Sequence, residues 1–391
     1  MPTAVSAFAV LAPIHINNVR IYDLNWIKEV TLGINKKTSC TLQIANLIAM
    51  ILVIAIHYNS RNSIDISERD GWNYICQEFL ANGIARIAVP FFAMLSGLFI
   101  LNKINGLDGY IKILKNKSMT LLVPYVMAST AIFIVVNILK VIFKPESYQP
   151  VTFLSVLSGI LVHPSSCQFW FLRDLIILTI LSPILLKLSK PYAYFLLLTA
   201  GTLWALDAQL FPVIGGWYLL NIETLFFFCF GGAVIGKNSL LVTIIDAGLP
   251  IKMATFILWV TLIALRIYID PDLDVWYVRN YSIESLLLYK LAIIVGIIFL
   301  IQSSSFLSRN NFLIYISGLT FFAYLFHIEP LVYFKELTRK VVSAPYLFYV
   351  NFPIATIVVF LSAHLASKYL PNVYAFISGG RTPNKALKRT Q

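Results

Sequence analysis

The sequence predicts an all-α polytopic membrane bundle of about ten transmembrane helices, and three observations carry that prediction. Hydrophobic side chains make up 59% of the 391 residues and charged ones only 12%, against roughly a quarter charged in a soluble domain. The apolar residues fall in blocks long enough for the ~20 helical residues that cross ~30 Å of hydrocarbon. Lysines and arginines cluster in short runs between those blocks, as topology signals do.

In chain order the candidate spans are Thr41 to Tyr58, Phe79 to Leu101, Met119 to Leu139, Phe169 to Leu186 and Tyr192 to Leu206. The remaining five are Val213 to Ile235, Met253 to Ile269, Ile283 to Ile301, Phe312 to Phe334 and Leu347 to Ala366. Tyr192 to Leu206 carries the weakest signal, being short and closely followed by Asp207 and Pro212; without it the two ends would lie on opposite sides. With a cytoplasmic N-terminus, the inner loops and ends hold Lys36, Lys37, Lys103, Lys112, Lys115, Lys117, Lys187, Lys190, Lys237, Lys368, Arg381, Lys385, Lys388 and Arg389. The outer loops hold fewer, among them Arg61, Arg69, Arg279, Arg339 and Lys340. That asymmetry places both ends in the cytoplasm.

The loops are too short for a separate soluble domain, so one membrane domain over residues 40–378 is expected. A cytoplasmic extension at 1–39 precedes it and a basic tail at 379–391 follows. Within the extension, Ala4 to Pro13 is apolar but too short to span. The absence of a visible internal repeat argues against an inverted-repeat transporter. The net charge of +12 comes without a nucleic-acid motif, so no nucleic-acid partner is expected. Cys40, Cys76, Cys167 and Cys229 are widely spaced and have no histidines at ligand spacing, so no metal site is indicated.

Ionisable residues inside apolar spans are costly and mark cavities or partners. Here they are His57 at the end of the first span, Arg86 in the second, Arg173 and Asp174 in the fourth, and Glu223, Glu284, Lys290, His327, Glu329 and His364 further on. His57 stands out because imidazole moves protons near neutral pH, although a histidine at a helix end is more often a hydrogen-bonded interfacial residue. Arg86 lies three residues before Val89-Pro90, where a backbone break can open a cavity; the alternative is an ion pair with Glu223 or Glu284. Trp170 and Trp217 read first as aromatic-belt residues.

Seven stretches in order then resemble the acyltransferase 3 family of membrane-bound acyltransferases, which modify surface polysaccharides. They are the first span ending in His57, RIAVPFFAMLSGLFI, KNKSMTLLVPYV, FWFLRDL, LFFFCFGGAVIGK, GLTFFAYLFHIEPL and LPNVYAFISGGR. The resemblance runs from about Leu42 to Arg381. It implies a helical bundle around a central passage in a bacterial inner membrane. It also implies an acyl group, acetyl from acetyl-CoA, passing to a hydroxyl of a cell-surface or periplasmic glycan or lipid-linked sugar. No permanently bound cofactor is implied.

Carried over by position, His57 is the expected general base or transient acyl carrier. Arg86 is expected at the donor phosphates or the developing oxyanion. Ser96, Trp170, Tyr324 and His327 are expected on the substrate side, and Arg173 beside the donor. One position departs from the pattern: where many members carry an arginine eleven residues before the first-span histidine, this chain has Asn46, which hydrogen-bonds without charge. Cys76 and Cys167, on the outer side, could pair in an oxidising compartment. A transporter or flippase would instead gather Glu223, Glu284 and Lys290 at the midplane, and the Asn46 substitution also admits a non-catalytic member of the family.

Overall fold

A computed structural model describes residues 35–383 apart from positions 70, 105, 144–151, 162–165, 188–189, 234–238, 277–278, 330 and 332–333. Most of the expected N-terminal extension, residues 1–34, and the tail beyond 383 lie outside the described residues.

Helix α1 (Lys36–Tyr58) starts where the Asn35 side chain accepts the Thr38 amide at 2.8 Å, satisfying one of the free donors of a first turn. The second span is one long element made of α2 (Trp72–Gln77), a π-helical stretch (Glu78–Gly83), a 3-10 turn (Ile84–Ile87) and α3 (Ala88–Leu101). Pro90 fits the 3-10 turn: it has no N–H to give the Arg86 carbonyl, and its ring crowds that carbonyl. The pattern repeats in α4 (Gly106–Lys117), a π-helical stretch (Ser118–Leu122) and α5 (Val123–Phe143), where Pro124 cannot serve the Thr120 carbonyl.

Next come α6 (Phe153–Leu161), α7 (Phe169–Lys187), α8 (Lys190–Ala205), a hairpin of β1 (Val213–Ile214) and β2 (Trp217–Tyr218), α9 (Ile222–Ala233), α10 (Ser239–Ile245) and α11 (Leu249–Ile269). The chain continues with α12 (Ile283–Leu307), α13 (Asn311–Ser317), α14 (Thr320–Phe326), α15 (Phe334–Thr338), α16 (Leu347–Tyr369) and α17 (Pro371–Ile377).

The protein is thus an all-α membrane bundle carrying one small hairpin. Among the described residues, six helical segments are long and apolar enough to cross a membrane: 36–63, 72–101, 106–141, 249–269, 283–307 and 344–369. Two predicted spans differ in kind. The stretch predicted from Val213 opens as the hairpin, because Gly215 and Gly216 both take positive φ, 63° and 81°, the requirement of a two-residue type I′ turn. The stretch predicted from Phe312 to Phe334 is broken after Ser317. There Gly318 and Leu319 donate to Tyr315 and Ile316 carbonyls at 3.1 and 2.8 Å, tightening the last turn and restarting the chain as α14. Leu319 is buried, so protein rather than lipid covers the break.

Burial separates inner from outer helices. The apolar windows of 36–63 and 72–101 are 61% buried and that of 283–307 is 50%, against 28% for 249–269 and 33% for 106–141 and 344–369. Helix α1 is enclosed on several sides, touching α3, α12, α13, α14 and α16.

Helix α3 crosses α9 at backbone contact. A Cβ on Gly97 would sit 1.8 Å from the Phe228 carbonyl oxygen, and one on Gly231 would sit 1.9 Å from that of Met94. Two backbones approach this closely only through small residues, the usual device where lipid removes the hydrophobic drive between helices. Gly231→Val should therefore cost about 3 kcal/mol through backbone overpacking. Gly109→Ala, whose nearest neighbour lies at 3.6 Å, should be neutral or mildly stabilising. Thermal unfolding of the detergent-solubilised protein, followed by size-exclusion profile, separates the two.

Candidate functional site

The irregular part of the second span carries a polar ladder at 78, 82 and 86, about one residue per helical turn. Arg86 Nε donates to Asn82 Oδ1 at 2.8 Å. Asn82 Nδ2 in turn donates to Glu78 Oε1 at 2.6 Å and to the Leu273 carbonyl at 3.0 Å. Glu78 is fully buried and pairs with both Arg61 and Arg266, the latter 1% exposed. Arg266 also reaches the Asn82 carbonyl at 3.3 Å. Arg86, half-buried, lies with its guanidinium carbon 5.7 Å from the centre of the Trp276 ring. Among the described residues no ion pair joins Arg86 to Glu223 or Glu284; Glu78, acting through Asn82, is its carboxylate.

His57 is half-buried near the end of α1, with Arg86, Lys335 and His327 within electrostatic reach. Its ring centre is 5.2 Å from that of His327. Three tethers hold this corner together. Tyr58 Oη donates to the His327 carbonyl at 2.9 Å, His327 Nδ1 donates to the Tyr324 carbonyl at 2.8 Å, and Lys335 Nζ donates to the His57 carbonyl at 3.1 Å. His327 is fully buried, and its Nε2 has no hydrogen-bond partner.

An aromatic wall runs from this corner to Arg86. The Tyr324 ring lies 5.9 Å from His327 and 6.3 Å from Phe171. Trp170 packs edge-on against Phe171 at 5.8 Å, stacks on Trp217 at 6.1 Å and tilts against Trp276 at 5.8 Å. His57, Arg86, Trp170, Tyr324 and His327, scattered along the sequence, thus belong to one connected region. The Tyr324 hydroxyl donates to the Gln168 carbonyl.

Other expected residues sit elsewhere. Arg173, buried, donates to the carbonyls of Ile214 and Tyr218, while Asp174 Oδ2 accepts the Asn221 amide at 3.0 Å. With Trp170 on Trp217, the fourth-span motif grips the segment from the hairpin into α9. Asn46 shares the His57 face of α1, since eleven residues are about three turns or ~16 Å; its Nδ2 donates to Thr320 Oγ1 at 2.7 Å. Ser96 is half-buried ten residues beyond Arg86, ~15 Å along the helix. Glu223 accepts from Trp204 Nε1 at 2.9 Å, and Lys290 lies 5.1 Å over the same Trp204 ring. Glu284 is instead exposed in the first turn of α12, so the three charges a transporter would gather are not together.

Cys40, Cys76, Cys167 and Cys229 are all free thiols. Burial, reinforced by Glu329, pushes the Cys167 thiol up to about 11, so it stays protonated at neutral pH and offers no competing nucleophile. Among the described residues no cluster of histidine, cysteine and carboxylate could hold a metal ion.

A membrane-embedded helical bundle with a histidine and an arginine held inside it fits a membrane acyltransferase. The chain belongs to the acyltransferase 3 family of acyltransferase domains, which matches residues 42–367. It is also similar to the succinoglycan biosynthesis protein ExoH of Rhizobium meliloti (strain 1021), 26% identical over 354 residues that cover 87% of this chain and 91% of that protein. No solved structure matches the chain.

Glu78, Asn82, Arg266, Trp276 and Lys335 escape the sequence reading. The spacing Glu78, Asn82, Arg86 at i, i+4, i+8 is the signal that could have found the ladder, since residues four apart share a helix face. Lys335 carries no such signal. Glu78→Ala should leave Arg266 and Arg61 without their carboxylate and destabilise the protein by ~3–5 kcal/mol. Glu78→Gln, which keeps the hydrogen-bond acceptor, should cost less, as read by thermal unfolding in detergent.

Proposed function

We propose that this protein is a bacterial inner-membrane O-acyltransferase with both ends in the cytoplasm. It moves an acyl group, acetyl in this reading, from acetyl-CoA to a hydroxyl of a cell-surface or periplasmic glycan or its lipid-linked precursor. Family membership and the similarity to a polysaccharide biosynthesis protein support the reaction class. The observation that carries the reading is the meeting of His57 and Arg86, from different spans, in one connected region with an aromatic wall.

In this reading a bundle of about ten spans surrounds a passage: the donor enters along the Asn46 face of α1 from the cytoplasm, and the acceptor reaches His57 from outside. His57 takes the proton of the acceptor hydroxyl as its oxygen bonds to the thioester carbonyl carbon. Arg86, held by Asn82 and Glu78, neutralises the oxyanion that develops there. As the C–S bond breaks, the thiolate of coenzyme A recovers the proton from His57, leaving the ester and the neutral imidazole. Trp170, Tyr324 and His327 bound the acceptor side. Asn46 offers the donor hydrogen bonds in place of a charge, and Arg173 serves by fixing the hairpin beside Trp170.

His57→Ala should leave membrane insertion intact and reduce acetyl transfer by at least ~10²-fold, the usual worth of a general base. Arg86→Ala should lose ~10²- to 10³-fold, as an oxyanion donor does. Mass spectra of surface glycans from cells expressing each variant, with and without the wild-type gene, read both outcomes. Full acetylation by His57→Ala would remove His57 from the reaction. Asn46→Arg should lower the KM for the donor with little change in turnover, checked by steady-state kinetics in membranes.

A further inference from the structure

The buried nitrogen of His327 is an unfinished hydrogen bond. A carbonyl oxygen can only accept, so the 2.8 Å contact between His327 Nδ1 and the Tyr324 carbonyl puts the ring hydrogen of the neutral imidazole on Nδ1. The second nitrogen, Nε2, is then a bare acceptor. It is fully buried and has no partner, which is costly for a polar atom. The two tyrosine hydroxyls beside it have each given their one hydrogen elsewhere: Tyr58 Oη serves the His327 carbonyl and Tyr324 Oη the Gln168 carbonyl. Of its ring neighbours His57 is the nearer, 5.2 Å against 5.9 Å for Tyr324. At that centre-to-centre spacing, two imidazole nitrogens turned toward each other come within roughly 3 Å, the hydrogen-bond range.

We propose that His327 is the positioning residue of His57: its Nε2 accepts the ring N–H of His57, fixing which His57 nitrogen carries the lone pair that meets the acceptor hydroxyl. The inference rests on the acyltransferase reading of His57 and adds a partner to it. When His57 takes the hydroxyl proton, both of its nitrogens carry hydrogen, and the bond to His327 Nε2 becomes charge-assisted. When the proton passes to the departing thiolate, the original tautomer returns. A histidine held this way needs no carboxylate, which fits a pair enclosed by membrane helices. The backbone tethers explain how α14 delivers the ring. Tyr58, next to His57 in sequence, holds the His327 main chain against the end of α1.

The tautomer is directly measurable, because the chain has five histidines. In ¹⁵N-histidine-labelled protein in bilayers, nitrogen spectra with one signal removed by His327→Gln assign His327. The expected result is hydrogen on His327 Nδ1 and none on Nε2, with the His57 tautomer ratio shifting in His327→Leu. Hydrogen on His327 Nε2, or a His57 spectrum unchanged in His327→Leu, overturns the proposal without any activity assay. Kinetically, His327→Leu should lower turnover by about 10²-fold at unchanged donor KM, whereas His327→Gln, which places an amide oxygen near the lost Nε2, should return to within about tenfold of wild type. Equal losses in both variants would also overturn it. An unreactive wild type with the expected tautomers would instead count against the acyltransferase reading.

Discussion

Burying positive charge is the constraint around which the second span is built. Arg61 and Arg86, half-buried, and Arg266, 1% exposed, converge on one region, and a guanidinium withdrawn from water needs a carboxylate or a full set of acceptors. Glu78 supplies the charge to Arg61 and Arg266, and Asn82 passes its hold to Arg86 by accepting from one residue and donating to the other. That ladder runs directly into the turn loosened by Pro90. The place where the helix is least regular is therefore also where its polar groups are most firmly tied.

The same logic governs the other proline break. Pro124 cannot bond the Thr120 carbonyl, and Arg381 Nη1 takes that oxygen at 2.7 Å while its guanidinium carbon lies 3.9 Å from the centre of the Phe321 ring. Gly379, at φ 61°, brings the chain so close that a Cβ there would sit 2.6 Å from the Thr120 oxygen. Freed backbone carbonyls inside a bundle must find protein donors because lipid has none. The Ser-Gly-Gly-Arg motif at 378–381 does this just ahead of α5, and in doing so it lays Arg381 against Phe321 of α14, the helix that leads to His327.

Rigid and irregular parts divide the work. The glycine crossing of α3 on α9 fixes two backbones at contact distance, and α1 runs through the middle of the bundle. Against that frame, the interrupted segments carry the chemistry: the 78–87 stretch aims Arg86, and the chain beyond the break at Gly318 delivers Tyr324 and His327. Irregular backbone at membrane depth is tolerated only when enclosed by protein, so the breaks can exist because the inner helices surround them.

Much of this was legible in one dimension. Membrane insertion follows from the length and apolarity of each segment, which are local properties, and the ordered motifs pointed to the family and to His57, Arg86, Trp170, Tyr324 and His327. Even the hairpin was encoded locally, by Gly-Gly between Val-Ile and Trp-Tyr, but the surrounding apolarity reads equally as a span. What the sequence left open are pairings across the chain. The carboxylate serving Arg86 is local to its own helix rather than the distant Glu223 or Glu284. Arg173 spends its guanidinium on the hairpin, and Arg266 meets Glu78 across 188 residues. Hydropathy reports how a residue meets its solvent, whereas these partnerships depend on which helices touch and where their backbones break, and only the packed bundle decides that.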